Sequence, residues 1–165
     1  MLLEAAGKEK GSDYVIKGKE EMPAGAGFAV PMLTFPNGVT LAQTAAIVEV
    51  LGEEFDLNGK TKEQKMKTKQ YLLDLSDLFG EAAGGKLKGD EQKAARAEKW
   101  LALMDGYLSP FFGGDEPSSA DYQAVPVFDY LVGDAGISLE KYEKLTVWFA
   151  KMKELPAVKA VLDSG

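Results

Sequence analysis

The apolar pattern of this chain changes period once, near Leu57-Asn58-Gly59, and that change limits the folds open to it. Before it, short β-rich runs alternate with turn residues. After it, apolar residues recur at helical spacing almost to the end. Side chains alternate faces along a strand and return to one face about every 3.6 residues along a helix, so the two regimes imply different architectures. The chain is read as α+β, mainly α: a small mixed unit over residues 1–55, followed by an all-helical unit over 61–165. A length of 165 residues suits one ordinary domain or two small ones with a core that needs no covalent staple.

In the first unit, Asp13-Tyr14-Val15-Ile16-Lys17 is β-rich and bounded by Gly11 and Gly18, which predicts a short strand. Phe28 to Phe35 is apolar and leads through Pro36-Asn37-Gly38 into Val39-Thr40-Leu41, a hairpin signal because Asn and Gly favour positive φ at the turn. Pro31 interrupts the first run. It has no N–H to give to a ladder, so it marks either a sheet edge or an unusual turn. A helix follows from about Gln43 to Glu54, with Ile47, Val50 and Leu51 on one face.

In the second unit, the spacing predicts a helix with Leu72, Leu75, Leu78 and Phe79 on one side and Met66, Gln70, Leu73 and Asp77 on the other. Gly84-Gly85 breaks it. From Asp90 to Leu108, residues Ala97, Trp100, Leu101, Met104 and Leu108 make one stripe. Ser118-Ser119-Ala120-Asp121 reads as a capping box opening another helix. Leu145, Trp148, Phe149 and Met152 form the face of a further helix, and Pro156 suits the first turn of a last short one.

Composition removes several kinds of chemistry. There is no Cys and no His, hence no disulfide, no zinc-thiolate site, no cysteine nucleophile and no imidazole base. A net charge of -7 argues against nucleic acid, which demands clustered Lys and Arg. Lys60, Lys62, Lys65, Lys67 and Lys69 are close in sequence but read as a solvated face balanced by acids. No apolar run approaches the roughly 20 residues of a membrane helix. Met1 to Gly7 lacks the basic start of a signal peptide, so the expectation is a soluble cytoplasmic protein without membrane association.

Three landmarks in order carry a family resemblance. Val30-Pro31-Met32-Leu33, the Asn37-Gly38 turn and Leu41-Ala42-Gln43-Thr44-Ala45-Ala46-Ile47 resemble the central signature of cytosolic glutathione transferases. Pro117-Ser118-Ser119-Ala120-Asp121 is similar to the buried capping box of that family's helical domain, and Leu145 to Leu162 to its closing helices. The nearest kind is sigma-like or algal and protist-like. The resemblance implies a thioredoxin-like unit over 1–55, a helical domain over 61–165, glutathione as cosubstrate, small electrophiles as second substrates, and a homodimer or a partner chain. It also implies that Pro31 is cis, that the Val30 backbone pairs with the cysteinyl part of glutathione, and that Gln43 and Thr44 hold its γ-glutamyl carboxylate. From the residues alone, Pro31 reads more readily as a trans proline at a strand edge than as a cis one, and Thr44 equally as an ordinary helix cap.

The family's strand and loop bearing a catalytic Tyr, Ser or Cys have no counterpart in the sequence, because Met1-Leu2-Leu3-Glu4-Ala5-Ala6-Gly7 matches the helix after that loop. The expectation is a truncated thioredoxin-like unit without a catalytic residue; Tyr14 matches the second strand, not the first. A late start, a genuine truncation and a strand supplied by a partner chain all fit. The functional expectation is conjugation of the glutathione thiolate to electrophiles if the strand is present in a longer product, or a non-catalytic ligand-binding or assembly subunit if it is not.

Overall fold

The computed structural model describes residues 1–25, 27, 28 and 30–163. Ala29 of the apolar run, and Ser164 and Gly165 of the helical unit, lie outside the described residues, as does Ala26. The fold is mainly helical with one two-stranded sheet, and among the described residues no strand follows residue 61.

The hairpin forms where the turn residues put it. β1 (Met32–Thr34) pairs antiparallel with β2 (Thr40–Ala42), Leu33 facing Leu41. The loop holds three residues, not two. The Gly38 N–H donates to the Phe35 carbonyl at 2.9 Å and the Phe35 N–H to the Val39 carbonyl at 2.8 Å. Only Gly38 takes positive φ, at 86°. Pro36 sets its own φ by its ring, and the Asn37 carboxamide oxygen accepts from the Val39 N–H at 3.0 Å, so Asn37 acts through its side chain.

The strand expected at 13–17 does not form. Tyr14 makes an isolated bridge with Lys10, while Val15 and Ile16 are exposed. No described strand lies beside this segment, and a β-rich run without a partner gains nothing from extended backbone.

α2 (Thr44–Glu54) buries Ile47 and Leu51. Val50 is exposed, contrary to the sequence reading, because the buried stripe leans toward Val48. α3 (Lys62–Ala83) starts at a capping box: the Gln64 N–H donates to Thr61 Oγ1 at 3.1 Å, and the Thr61 N–H to Gln64 Oε1 at 2.9 Å. Leu72, Leu75 and Leu78 are buried as expected, whereas Phe79 stays partly exposed with its ring edge-on to Tyr130 at 5.4 Å. Gly84 and Gly85 end the helix.

α4 (Glu91–Tyr107) is capped by Asp90, whose carboxylate accepts from the Lys93 N–H at 3.0 Å. α5 (Ser119–Gly133) crosses the centre, and α6 (Glu143–Glu154) buries Leu145, Trp148, Phe149 and Met152. α7 (Pro156–Leu162) has Pro156 in its first turn. A short α1 (Leu2–Ala5) rests on α7 and α2. The main core lies between α3 and α5, closed by α4 and α6, and a smaller one under α2 unites Leu2, Ile47 and Leu51 with Leu33 and Leu41. No described helix is long and apolar enough to cross a membrane.

One carboxylate organises the large core. Asp121 is wholly buried, and its Oδ1 accepts from the Phe112 N–H at 3.0 Å and from Trp148 Nε1 at 2.8 Å. Its Oδ2 accepts from the Gly113 N–H at 3.2 Å, the Ser118 N–H at 2.7 Å and Ser118 Oγ at 2.9 Å. Burial pushes this carboxyl up, and the donors draw it back toward ionisation. Asp121→Ala leaves these buried N–H donors without an acceptor at about 1–3 kcal/mol each, so the loss of stability is expected to reach about 4 kcal/mol or more. Urea unfolding measures it, and a loss below about 1 kcal/mol contradicts this account of the core.

Candidate functional site

The register of the hairpin gathers the sequence-predicted site residues. Met32 pairs with Ala42, so the next residues outward, Pro31 and Gln43, stand at the same open end, flanked by Val30 and Thr44. Val30, Pro31, Gln43 and Thr44 are all exposed. The Val30–Pro31 peptide is cis. Because Phe35 and Val39 form a bonded pair, alternation aims the Leu33 backbone groups at β2 and those of Met32 and Thr34 at the opposite edge. No described strand pairs with that edge.

Gln43 is the backbone outlier of this end. Its φ of 75° and ψ of 116° lie where a residue with a Cβ is crowded, at a cost of about 1–3 kcal/mol. This twist turns the chain out of β2 directly into α2. Gln43 occupies the cap position without capping by its side chain, and Thr44 is the first helical residue, not the cap. The cap reading of Thr44 is therefore not what the structure contains. The first bond inside the helix runs from the Ile47 N–H to the Gln43 carbonyl at 3.0 Å, which leaves the N–H groups of Thr44, Ala45 and Ala46 without a helical acceptor. The first turn carries no acid. Aligned peptide dipoles and N–H groups without a helical acceptor make this helix start a place where a carboxylate is favoured, and Gln43 and Thr44 bring a carboxamide and a hydroxyl to the same turn.

Tyr14 stands in a different arrangement. Its hydroxyl donates to the Glu4 carboxylate, and that bond, with burial added, pushes the phenol up to about 12. A hydroxyl committed to a carboxylate has no second proton to offer a thiolate. The lysine cluster is largely paired, Lys60 and Lys65 with Asp56 and Lys69 with Glu49, as a solvated face should be. The Trp148 indole lies in the core, bonded to Asp121, and Trp100 bonds Glu81 at 3.0 Å.

Three features escaped the sequence reading. The strain at Gln43 has no signal in composition, since Gln is not a residue type that favours positive φ. The buried Asn58, which joins α2 and α5 through its side chain and α3 through its carbonyl, sat in what looked like an ordinary turn. The Thr61-x-x-Gln64 box was passed over as well, although its pattern is the one read at Ser118.

A family model described as "Glutathione S-transferase, C-terminal domain" matches residues 74–165, more than half of the chain. The chain belongs to the glutathione S-transferase family. Among relatives it is 29% identical to glutathione S-transferase Y-2 of Pichia kudriavzevii, over 79% of this chain and 73% of that one. Its fold is similar to that of a nematode glutathione S-transferase from C. elegans, with a TM-score of 0.72 over 98% of this chain and 87% of the other at 22% identity. It is also similar to a sphingomonad glutathione S-transferase complexed with glutathione, with a TM-score of 0.67 and 26% identity over 82% of this chain and 73% of the other. The hairpin and α2 correspond to part of a thioredoxin-like unit, and the helices after them to the helical domain of the family.

Proposed function

We propose that residues 1–55 form a glutathione-binding unit on a helical domain of residues 61–165, with Val30, Pro31, Gln43 and Thr44 as the contacts. The observation that carries this reading is the open start of α2, where unpaired N–H groups adjoin the strained Gln43. The γ-glutamyl carboxylate meets those N–H groups, the Thr44 hydroxyl and the Gln43 carboxamide. The Val30 backbone, two residues before the start of β1, takes the cysteinyl amide in the manner of an added strand. The sphingomonad relative with bound glutathione supports the choice of ligand.

Binding and activation are separate tasks. Conjugation to an electrophile requires the thiol as a thiolate, held by a hydroxyl or thiol donor. In the present chain the hydroxyl of Tyr14, the one tyrosine before residue 71, already donates its hydrogen bond to Glu4. The chain by itself therefore acts as a glutathione-binding member with slow conjugation. A second reading, full transferase activity toward small electrophiles, applies where a strand bearing a Tyr, Ser or Cys donor completes the unit. The family supports a cytoplasmic compartment as part of this reading.

Association with a second copy is proposed through the outer face of α3. Met66 and Leu73 are exposed there, with Lys62 and Lys69 in the first half and Asp74 and Asp77 in the second. Two such faces laid antiparallel bring opposite charges together around the apolar residues. Sedimentation is expected to show a dimer that weakens in high salt and in Lys62→Glu, and a monomer at all concentrations contradicts it.

Loss of a charge-assisted hydrogen bond is expected to weaken glutathione binding about tenfold or more in Thr44→Ala. Calorimetric titration checks this, and equal affinity in the variant removes Thr44 from the site. A missing thiolate donor typically costs about a hundredfold in rate, so conjugation by the purified chain is expected at least that far below an intact transferase, with Tyr14→Phe unchanged. Ordinary turnover that disappears in Tyr14→Phe would assign the thiolate to Tyr14 instead.

A further inference from the structure

The turn between α2 and α3 is held by one buried side chain. Asn58 is only 4% exposed, although it lies in a turn directly before Gly59. Its Nδ2 donates to the Glu49 carbonyl of α2 at 2.9 Å. Its Oδ1 accepts from the Ser119 hydroxyl in the first turn of α5. Its own carbonyl accepts from Thr68 Oγ1 of α3 at 3.0 Å. Thr68 and Ser119 are both wholly buried. The backbone beside it repeats the connection: the Leu57 N–H donates to the Gly52 carbonyl at 2.6 Å, and the Leu57 carbonyl accepts from the Ser119 N–H at 2.7 Å.

Gly52 makes room for this amide. A Cβ there would stand 2.0 Å from Asn58 Oδ1 and 2.8 Å from the Ser119 Cβ. The three helices therefore meet at a point where both polar atoms of the Asn58 side chain, and its own carbonyl, have partners of fixed direction. A buried amide in that position specifies one arrangement, because any other leaves donors and acceptors unpaired.

The consequence falls on the other end of α2. That helix begins at Thr44, about 7.5 Å along its axis from Glu49, with Gln43 as its cap. The sheet on its other side has two strands, and a lone hairpin is marginal as a support. Beneath α2 the apolar contacts of Ile47 and Leu51 are non-directional, and they tolerate small rotations that hydrogen bonds do not. Orientation therefore comes from the amide, while the apolar contacts hold α2 down.

We propose that Asn58 is a positioning residue for the glutathione site, holding α2 and the Gln43–Thr44 turn in a fixed orientation against α3 and α5. This rests on the reading of the α2 N-terminus as the place where glutathione binds. Ser119 and Gly52 complete the device, one by bonding the amide and the other by leaving space for it.

The test uses the full chain with Asn58→Ala and Ser119→Ala, the second removing a single donor in case the first does not fold. Glutathione titration is run well below each variant's melting temperature, with hydrogen exchange followed in parallel over residues 44–54, α4 and α6. The expected result is a loss of affinity of roughly tenfold in Asn58→Ala and less in Ser119→Ala, with faster exchange in residues 44–54 and unchanged exchange in α4 and α6. Wild-type affinity with unchanged exchange in α2, or exchange that rises equally in all three helices, would reduce Asn58 to a packing residue and overturn the proposal. If the parent chain binds no glutathione, the binding reading falls, and the exchange pattern still decides whether Asn58 holds α2.

Discussion

A carboxylate wholly removed from water is tolerated only when its surroundings replace the water it lost, and the interior around Asp121 does so with donors from three places in the chain. Phe112 and Gly113 come from the loop after α4, Ser118 from the start of α5, and Trp148 from α6. Each donor would be unpaired without the carboxylate, and the carboxylate would be unpaired without them. The arrangement is thus all-or-none. It fixes how the loop, α5 and α6 meet before any apolar contact is counted. Phe112 and Phe128 then set their rings against the Trp148 indole, at 5.4 and 5.3 Å, in edge-on geometry that the indole bond to Asp121 has already oriented.

The same device recurs at the turn after α2, with neutral groups. Asn58 does for α2, α3 and α5 what Asp121 does for the loop, α5 and α6, and both act on the first turn of α5 through adjacent residues, Ser118 and Ser119. α5 is therefore tied by its N-terminus to the loop after α4, to α6 and, through Asn58, to α2 and α3. Its interior supplies apolar volume, and its first turn supplies direction. A strained residue such as Gln43 persists in a fold only if its neighbours over-determine it. Here the hairpin fixes the chain entering Gln43, and the Asn58 junction fixes the helix leaving it.

Much of this architecture was legible because period and capping are local signals. The stripes at Leu72-Leu75-Leu78, Ala97-Leu101-Met104 and Leu145-Trp148-Phe149 are buried as their spacing requires. The Asp121 box is visible as Ser-x-x-Asp, and Pro36-Asn37-Gly38 marks its turn. What misled was a segment judged without its partners. Tyr14-Val15-Ile16 has the composition of a strand, but strand formation depends on a neighbour that composition cannot supply. Val50 and Phe79 sit at the margins of apolar stripes, where a rotation of a helix by part of a turn decides exposure. Of the site, the residue types at Gln43 and Thr44 were readable, whereas the backbone strain and the Asn58 junction were not. Both depend on elements far apart in sequence, Asn58 and Ser119 being 61 positions apart.

The chemistry at the two ends of the small unit separates recognition from reactivity. At the proposed glutathione site, the start of α2 offers backbone N–H groups and uncharged side chains, whose polarity does not change with pH near neutrality. Such a site attracts a carboxylate through fixed dipoles in a chain whose net charge is -7, so attraction comes from local geometry against the overall field. Lowering a thiol's pKa is a different demand, because a donor must strengthen its bond as the sulfur gains charge. Tyr14 is engaged in the opposite sense: its bond to Glu4 favours the protonated phenol and spends the proton on a group already charged. Glutathione held at α2 would therefore keep the acidity of its thiol in water until a donor on another strand reaches the sulfur. Affinity for glutathione and the rate of its conjugation are on this account independent properties of the fold, the first set by α2 and the second by whatever pairs with the open edge of β1.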